Sequence, residues 1–154
     1  MDLMAAYAIA FDSMEKHGLI EQGWRFHFSR AKTILGQCFH CMKRIYLSKA
    51  YVEANAEADI RNTILHEIAH ALVGPDHNHD MTWKLKAIEV GARPEVCGRS
   101  HIEMPKGKYV GVCVGCGYEE HRHRKPKYIN TEGMYSHIEC KRMGKPSKIE
   151  WRKA

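Results

Sequence analysis

The chain has 154 residues, of which 44% are hydrophobic and 27% charged, and it carries a net charge of +6 at neutral pH. That length allows one sizeable core with a small satellite module, and no apolar run approaches the roughly 20 residues of a membrane span. Charges cancel within residues 1–100, so the whole basic excess falls in residues 101–154, where twelve Lys or Arg face six acidic residues. Such asymmetry points to a polyanion as partner, nucleic acid first, or else to a solubilising face.

In chain order, Leu3, Tyr7, Ala10, Phe11 and Met14 predict an amphipathic helix closed by Gly18. The apolar start follows Asp2 and runs on into Asp12, Glu15 and Lys16, unlike a secretory signal. The expectation is a cytoplasmic protein with reduced thiols, whose cysteines serve as metal ligands or core residues before disulfides. Trp24, Phe26 and Phe28 alternate with Arg25 and His27, the period of a half-buried strand. Phe39, Cys41, Ile45 and Leu47, after Gly36, predict its antiparallel partner. Ser48 is placed to cap a short helix reaching Ala54, and a longer helix is expected over residues 56–73. Residues 75–80 form a polar loop, residues 82–90 a further helix ended by Gly91, and Pro94 and Pro105 bracket a linker. From Tyr109 onward the chain is rich in Gly, Cys and Lys, with short strand-like pieces.

The most informative stretch is His66-Glu67-Ile68-Ala69-His70. Residues four apart on a helix share a face, so both imidazoles can bind one Zn²⁺, and the intervening glutamate can take a proton from water at the metal. Ile64, Leu65, Ile68, Ala69, Leu72 and Val73 supply the helical apolar spacing, and Gly74-Pro75 stops the helix. A catalytic zinc needs a third protein ligand. His79, His77, Glu89 and Glu95 all lie downstream at usable distances, and spacing does not choose between His79 and Glu89. His77-Asn78-His79 spells the HNH nuclease name, but that nuclease spreads its residues over a ββα hairpin.

The order Trp24-x-Phe26-x-Phe28, Gly36, Ile45-x-Leu47-Ser48, His66-Glu67-Ile68-Ala69-His70 and His79-x-x-x-Trp83 resembles the SprT-like metalloprotease domain over roughly residues 3–91. That family includes the Spartan-type proteases of DNA–protein crosslink repair. The resemblance implies His79 as third ligand, from the family's His-Gly-x-x-aromatic segment; Asp80 stands here in place of the glycine.

Cys113-x-x-Cys116-Gly117 and His137-x-x-Cys140, separated by twenty residues, have the spacing of a zinc ribbon with one cysteine replaced by histidine. His121 and His123 are rival ligands without the paired spacing. SprT-like proteins often carry such a ribbon, usually with two Cys-x-x-Cys pairs. Cys38-x-x-Cys41 is read differently: on a continuous strand the two point to opposite faces, Cys41 inward with Phe39 and Ile45, Cys38 outward. Cys97 is expected to be a small core residue.

Together these readings give an α+β fold. A zincin-like metalloprotease domain occupies residues 1–100, with an N-terminal helix, a small antiparallel sheet and the motif helix; a basic zinc ribbon occupies residues 101–154. Two Zn²⁺ are expected, one catalytic on His66, His70 and His79 and one structural on Cys113, Cys116, His137 and Cys140, with Glu67 as general base. The sequence identifies no oxyanion-stabilising residue. The resemblance and the basic third together imply protein substrates crosslinked to or sitting on DNA in the cytoplasm or nucleoid, with no membrane partner. Lys125, Lys127, Arg142 and Lys145 are candidate phosphate contacts. Tyr109, Tyr118, Tyr128, Tyr135 and Trp151 are candidates for stacking on single-stranded or distorted DNA, or else form the ribbon's core. The rival functions are a nucleic-acid-binding protein with a non-catalytic zincin core and a metal-dependent hydrolase of a non-protein substrate.

Overall fold

The computed structural model describes residues 1–95, 102–127 and 134–154, a mixed α+β fold that divides into two units, Met1–Pro105 and Lys106–Ala154. Cys97 and Tyr128 lie outside the described residues.

In the first unit, α1 (Leu3–Lys16) is capped by Asp2, whose carboxylate accepts from the Met4 and Ala5 backbone N–H groups. Its buried face is Ala6, Ala10 and Met14, whereas Tyr7 and Phe11, expected inside, are 43% and 38% exposed. Alanines four apart let α1 lie close against the motif helix, which moves the bulkier neighbours to the rim.

The sheet corrects the expected antiparallel pairing. β1 (Arg25–Ser29) runs parallel to the central strand β3 (Arg44–Ser48), with Phe26 beside Ile45 and Phe28 beside Leu47. The antiparallel partner of β3 is β2 (Gly36–Phe39), so the run read as one strand is a hairpin, making the sheet mixed. A 3₁₀ turn at His40–Met42 and Lys43 in the left-handed region (φ 48°) reverse the chain. Lys43 is also the polar residue that interrupts the Phe39, Cys41, Ile45, Leu47 alternation. The turn inverts the cysteines as well: Cys38 packs against the core and Cys41 is exposed, the reverse of the strand expectation.

Ser48 ends β3 and starts α2 (Lys49–Ala54): its hydroxyl accepts from the Tyr51 N–H and donates to the Ala31 carbonyl. The motif helix α3 (Glu57–Val73) packs on α1, β2, β3 and α4 (Met81–Val90), burying Ile60, Ile64, Ile68 and Ala69. Beneath it, the Tyr51 hydroxyl and Thr63 Oγ1 satisfy each other at 2.8 Å. The Asn55 side chain donates to the Glu103 carbonyl (2.7 Å) and accepts from the Glu103 N–H (2.8 Å), pinning the segment whose Ile102 and Met104 cover the core.

The second unit is an antiparallel sheet in the order β5-β4-β6, comprising β4 (Tyr109–Cys113), β5 (Glu119–Arg122) and β6 (Ile149–Lys153), with the short helix α5 (Ile138–Arg142). Gly111 of β4 lies between Glu120 and Trp151, and a Cβ there would meet the Trp151 ring at 2.8 Å. The bare central strand lets side chains from both outer strands meet above it. The Arg122 guanidinium stacks on Trp151 (4.8 Å) and Tyr135 (5.1 Å) and donates to Glu120. Among the described residues, no helix is long and apolar enough to cross a membrane.

Candidate metal centres

α3 places His66, Glu67 and His70 on the side that faces β2 and the loop before α4, and that loop brings His79 to the two helical histidines. The Nε2 atoms of His79 and His66 are 3.0 Å apart, and those of His79 and His70 3.2 Å. Nitrogens bound to a tetrahedral ion at about 2.0–2.1 Å would be about 3.3–3.4 Å apart, so the donor set fits a zinc-sized cation.

Burial lowers the pKa of all three rings, helped at His66 by His70 and His79. His66 falls to about 3 and His70 to about 4, so both rings are neutral at physiological pH. Neutral nitrogens with converging lone pairs are what a cation requires.

Trp83 organises the trio. Fully buried on α4, it packs against His66 (4.6 Å), His70 (5.1 Å, stacked) and His79 (4.6 Å). The His77 backbone additionally hydrogen-bonds the His70 ring. His66 Nδ1 is buried without a hydrogen-bond partner among the described residues, so packing alone orients that ring.

Asp80, at the glycine position of the motif, has φ −76°, which any residue adopts. Its carboxylate caps α4 by accepting from the Trp83 N–H (2.9 Å) and pairs with His77 Nδ1 (2.8 Å).

Glu67 is buried beside this cluster, and burial raises its pKa to about 8. Glycine at the facing position of β2 leaves room for this carboxyl group, because a Cβ on Gly36 would stand 2.8 Å from Glu67 Oε1 and push it aside. His66, Glu67, His70, His77 and His79 line one cavity of about 400 Å³ with Gly36, Cys38 and His40. Glu89 instead pairs with Lys86 on the exposed side of α4, and Glu95 is exposed; neither joins the cluster. Sequence reasoning missed His40 and the cavity-lining position of Cys38, since both depend on the hairpin turn.

The second cluster joins Cys113, Cys116, His137 and Cys140, whose donor atoms, like those of the first, lie within 4.8 Å of one another. Cys113 and Cys140 sulfurs are 3.8 Å apart, and His137 Nδ1 lies 3.4 Å from Cys116 Sγ and 3.3 Å from Cys140 Sγ. Tetrahedral zinc with bonds of about 2.3 Å to sulfur and 2.0–2.1 Å to nitrogen gives edges of about 3.8 and 3.5 Å. Its hydrogen bond with Cys116, burial and the Cys113 charge push the Cys140 thiol up to about 12. At Cys113 burial acts upward, but hydrogen bonds from the Gly115 and Cys116 backbone and from the Cys116 and Cys140 side chains lower the thiol overall. Tyr118 stacks on His137 (4.5 Å, 9°). Cys38 and Cys41 belong to neither cluster, nor do His121 and His123.

A model of the SprT-like family matches residues 4–103, about two thirds of the chain, and the chain belongs to that family. Comparison with curated proteins finds no match.

Metal analysis of point variants tests the ligand geometry. His79→Ala should lose one metal equivalent, while Glu89→Ala keeps it; the opposite result would move the third ligand to α4. Glu67 gives a pH test in chelator-treated protein. Its carboxyl ionises near pH 8 in the fold but near 4.5 when unfolded, so the fold holds the proton more tightly. Stability from this group is full below about pH 4.5 and is lost as pH rises through about 8. Urea unfolding of wild type against Glu67→Gln across that window should show the loss only in wild type.

Proposed function

We propose that this protein is a zinc-dependent endopeptidase of zincin type that cleaves proteins attached to or sitting on DNA. The observation that carries this reading is the convergence of three histidines with a buried carboxyl group in one cavity. His66, His70 and His79 would hold the catalytic Zn²⁺, and Cys113, Cys116, His137 and Cys140 the structural one. Bound zinc supplies Lewis acidity, lowering the pKa of water and polarising a carbonyl. Glu67 takes the proton of the attacking water and returns it to the departing amine. Gly36 and the buried surround keep bulk water away from that carboxylate.

The ribbon supplies the link to DNA. Lys125, Lys127, Arg142 and Lys145 are all exposed on the basic unit, and these are the side chains that would contact phosphates. The aromatic residues are more committed: Tyr135 and Trp151 hold Arg122, and Tyr118 stacks one face on His137. Tyr118 is still 48% exposed, which leaves it the aromatic best placed to meet an unpaired base.

Glu67→Gln should keep its zinc and lose turnover on a DNA-bound protein by at least about a hundredfold. Retained cleavage would remove Glu67 from the chemistry. Replacing Lys125, Lys127, Arg142 and Lys145 together by Ala should weaken single-stranded DNA binding and flatten the log-affinity against log-salt slope by about 3. An unchanged slope in a salt series would place DNA recognition on another surface.

A further inference from the structure

We propose that His40 is a second catalytic residue of this cavity, donating a hydrogen bond to the carbonyl oxygen of the substrate as negative charge develops on it. The proposal rests on the peptidase reading above and supplies the oxyanion-stabilising group that the sequence left unnamed.

The placement comes from the way β2 and the 3₁₀ turn run along α3. Gly36 meets Glu67, and Cys38 feels the charge of Glu67. His40, two residues further, lines the same cavity as His70, one helical turn beyond Glu67's neighbour His66. β2 thus meets Glu67 at Gly36, and the turn that follows it brings the His40 imidazole to the same cavity. Water activated at Glu67 attacks a carbonyl whose oxygen is then turned toward His40.

His40 lines the cavity with the ligand trio but is outside the cluster itself. That is the position required of a group that meets substrate rather than metal. Its ring is held from two sides, edge-on against Trp24 (5.6 Å, 86°) and with Nε2 3.8 Å from Cys38 Sγ. Burial, with Glu67, keeps Cys38 a thiol by pushing its pKa up to about 12. With the Cys38 thiol as donor to Nε2, the imidazole proton sits on Nδ1 and the ring keeps an N–H to offer. His77 also lines the cavity, but its Nδ1 is committed to Asp80.

Zinc-loaded wild type, His40→Ala and His40→Gln would be compared for zinc content, cleavage of fluorescein-labelled casein, and binding of a peptide phosphonamidate whose tetrahedral P–O⁻ mimics the oxyanion. Both variants should keep their zinc. His40→Ala should lose about 10²-fold in kcat with KM within about twofold, and bind the phosphonamidate at least about tenfold more weakly. His40→Gln, which retains an N–H donor, should recover part of both losses. Unchanged phosphonamidate affinity, unchanged kcat in an enzyme that cleaves, or loss of zinc in either variant would overturn the role. Wild type that binds the phosphonamidate in a His40-dependent way but cleaves no protein would sink the peptidase reading while leaving the oxyanion contact standing. Wild type that does not bind the phosphonamidate overturns both.

Discussion

The contact on which the histidine cluster of the first unit depends is the packing of three imidazoles against one buried indole. Two histidines on α3 would share a face in any helix, but the third arrives on a loop and must be held from elsewhere. Trp83 does this from α4, touching all three rings at once. The same residue seats α4 on α3, so the packing of the fold and the aim of the ligands are one arrangement. Asp80 joins them a second time by capping the helix that carries Trp83 and pairing with His77 beside the ligand.

The two clusters solve the same chemical problem with different means. In the first, two donors stand on a long helix and the third on a loop, with a substantial apolar core beneath them, and burial lowers the pKa of all three rings. In the second, donors come from a strand end and a five-residue helix in a unit with few large buried side chains. There the neighbouring thiols raise the pKa of Cys140 and lower that of Cys113, and a bound cation would contribute to folding as well as to charge balance. The Arg122 clasp over Gly111 is a further staple, made from aromatic and charged groups where apolar bulk is scarce.

Local patterns were legible where one short-range rule governed them. The motif helix, its stop at Gly74, the Ser48 cap and the paired spacing of Cys113, Cys116, His137 and Cys140 follow from periodicity and capping. What was not legible depended on chain reversal. The alternation of Phe39, Cys41, Ile45 and Leu47 concealed a turn, and only Lys43 in the apolar register marked it. That one reversal changed the sheet from antiparallel to mixed, exchanged the environments of Cys38 and Cys41, and set His40 against the cavity. On α1 the error was of another kind: helical spacing put Tyr7 and Phe11 on the apolar face with Ala10 and Met14, but the face that is buried is Ala6, Ala10 and Met14. The third ligand also lay beyond spacing, since His79 and Glu89 separate only once the loop and α4 are placed.

The mixed sheet also bears on how the chain assembles. β2 and β3 are neighbours in sequence and can zip from their own turn, whereas β1 must close a loop around that hairpin before it can align parallel to β3. The strand pair that forms the cavity wall is therefore the locally encoded part, and β1 is the non-local addition. Crowding at Gly36 or loss of the Lys43 turn would act on the nucleus and slow folding, while defects in β1 would act chiefly through faster unfolding. The wall facing Glu67 is thus among the first parts of the sheet to exist and among the last to be lost.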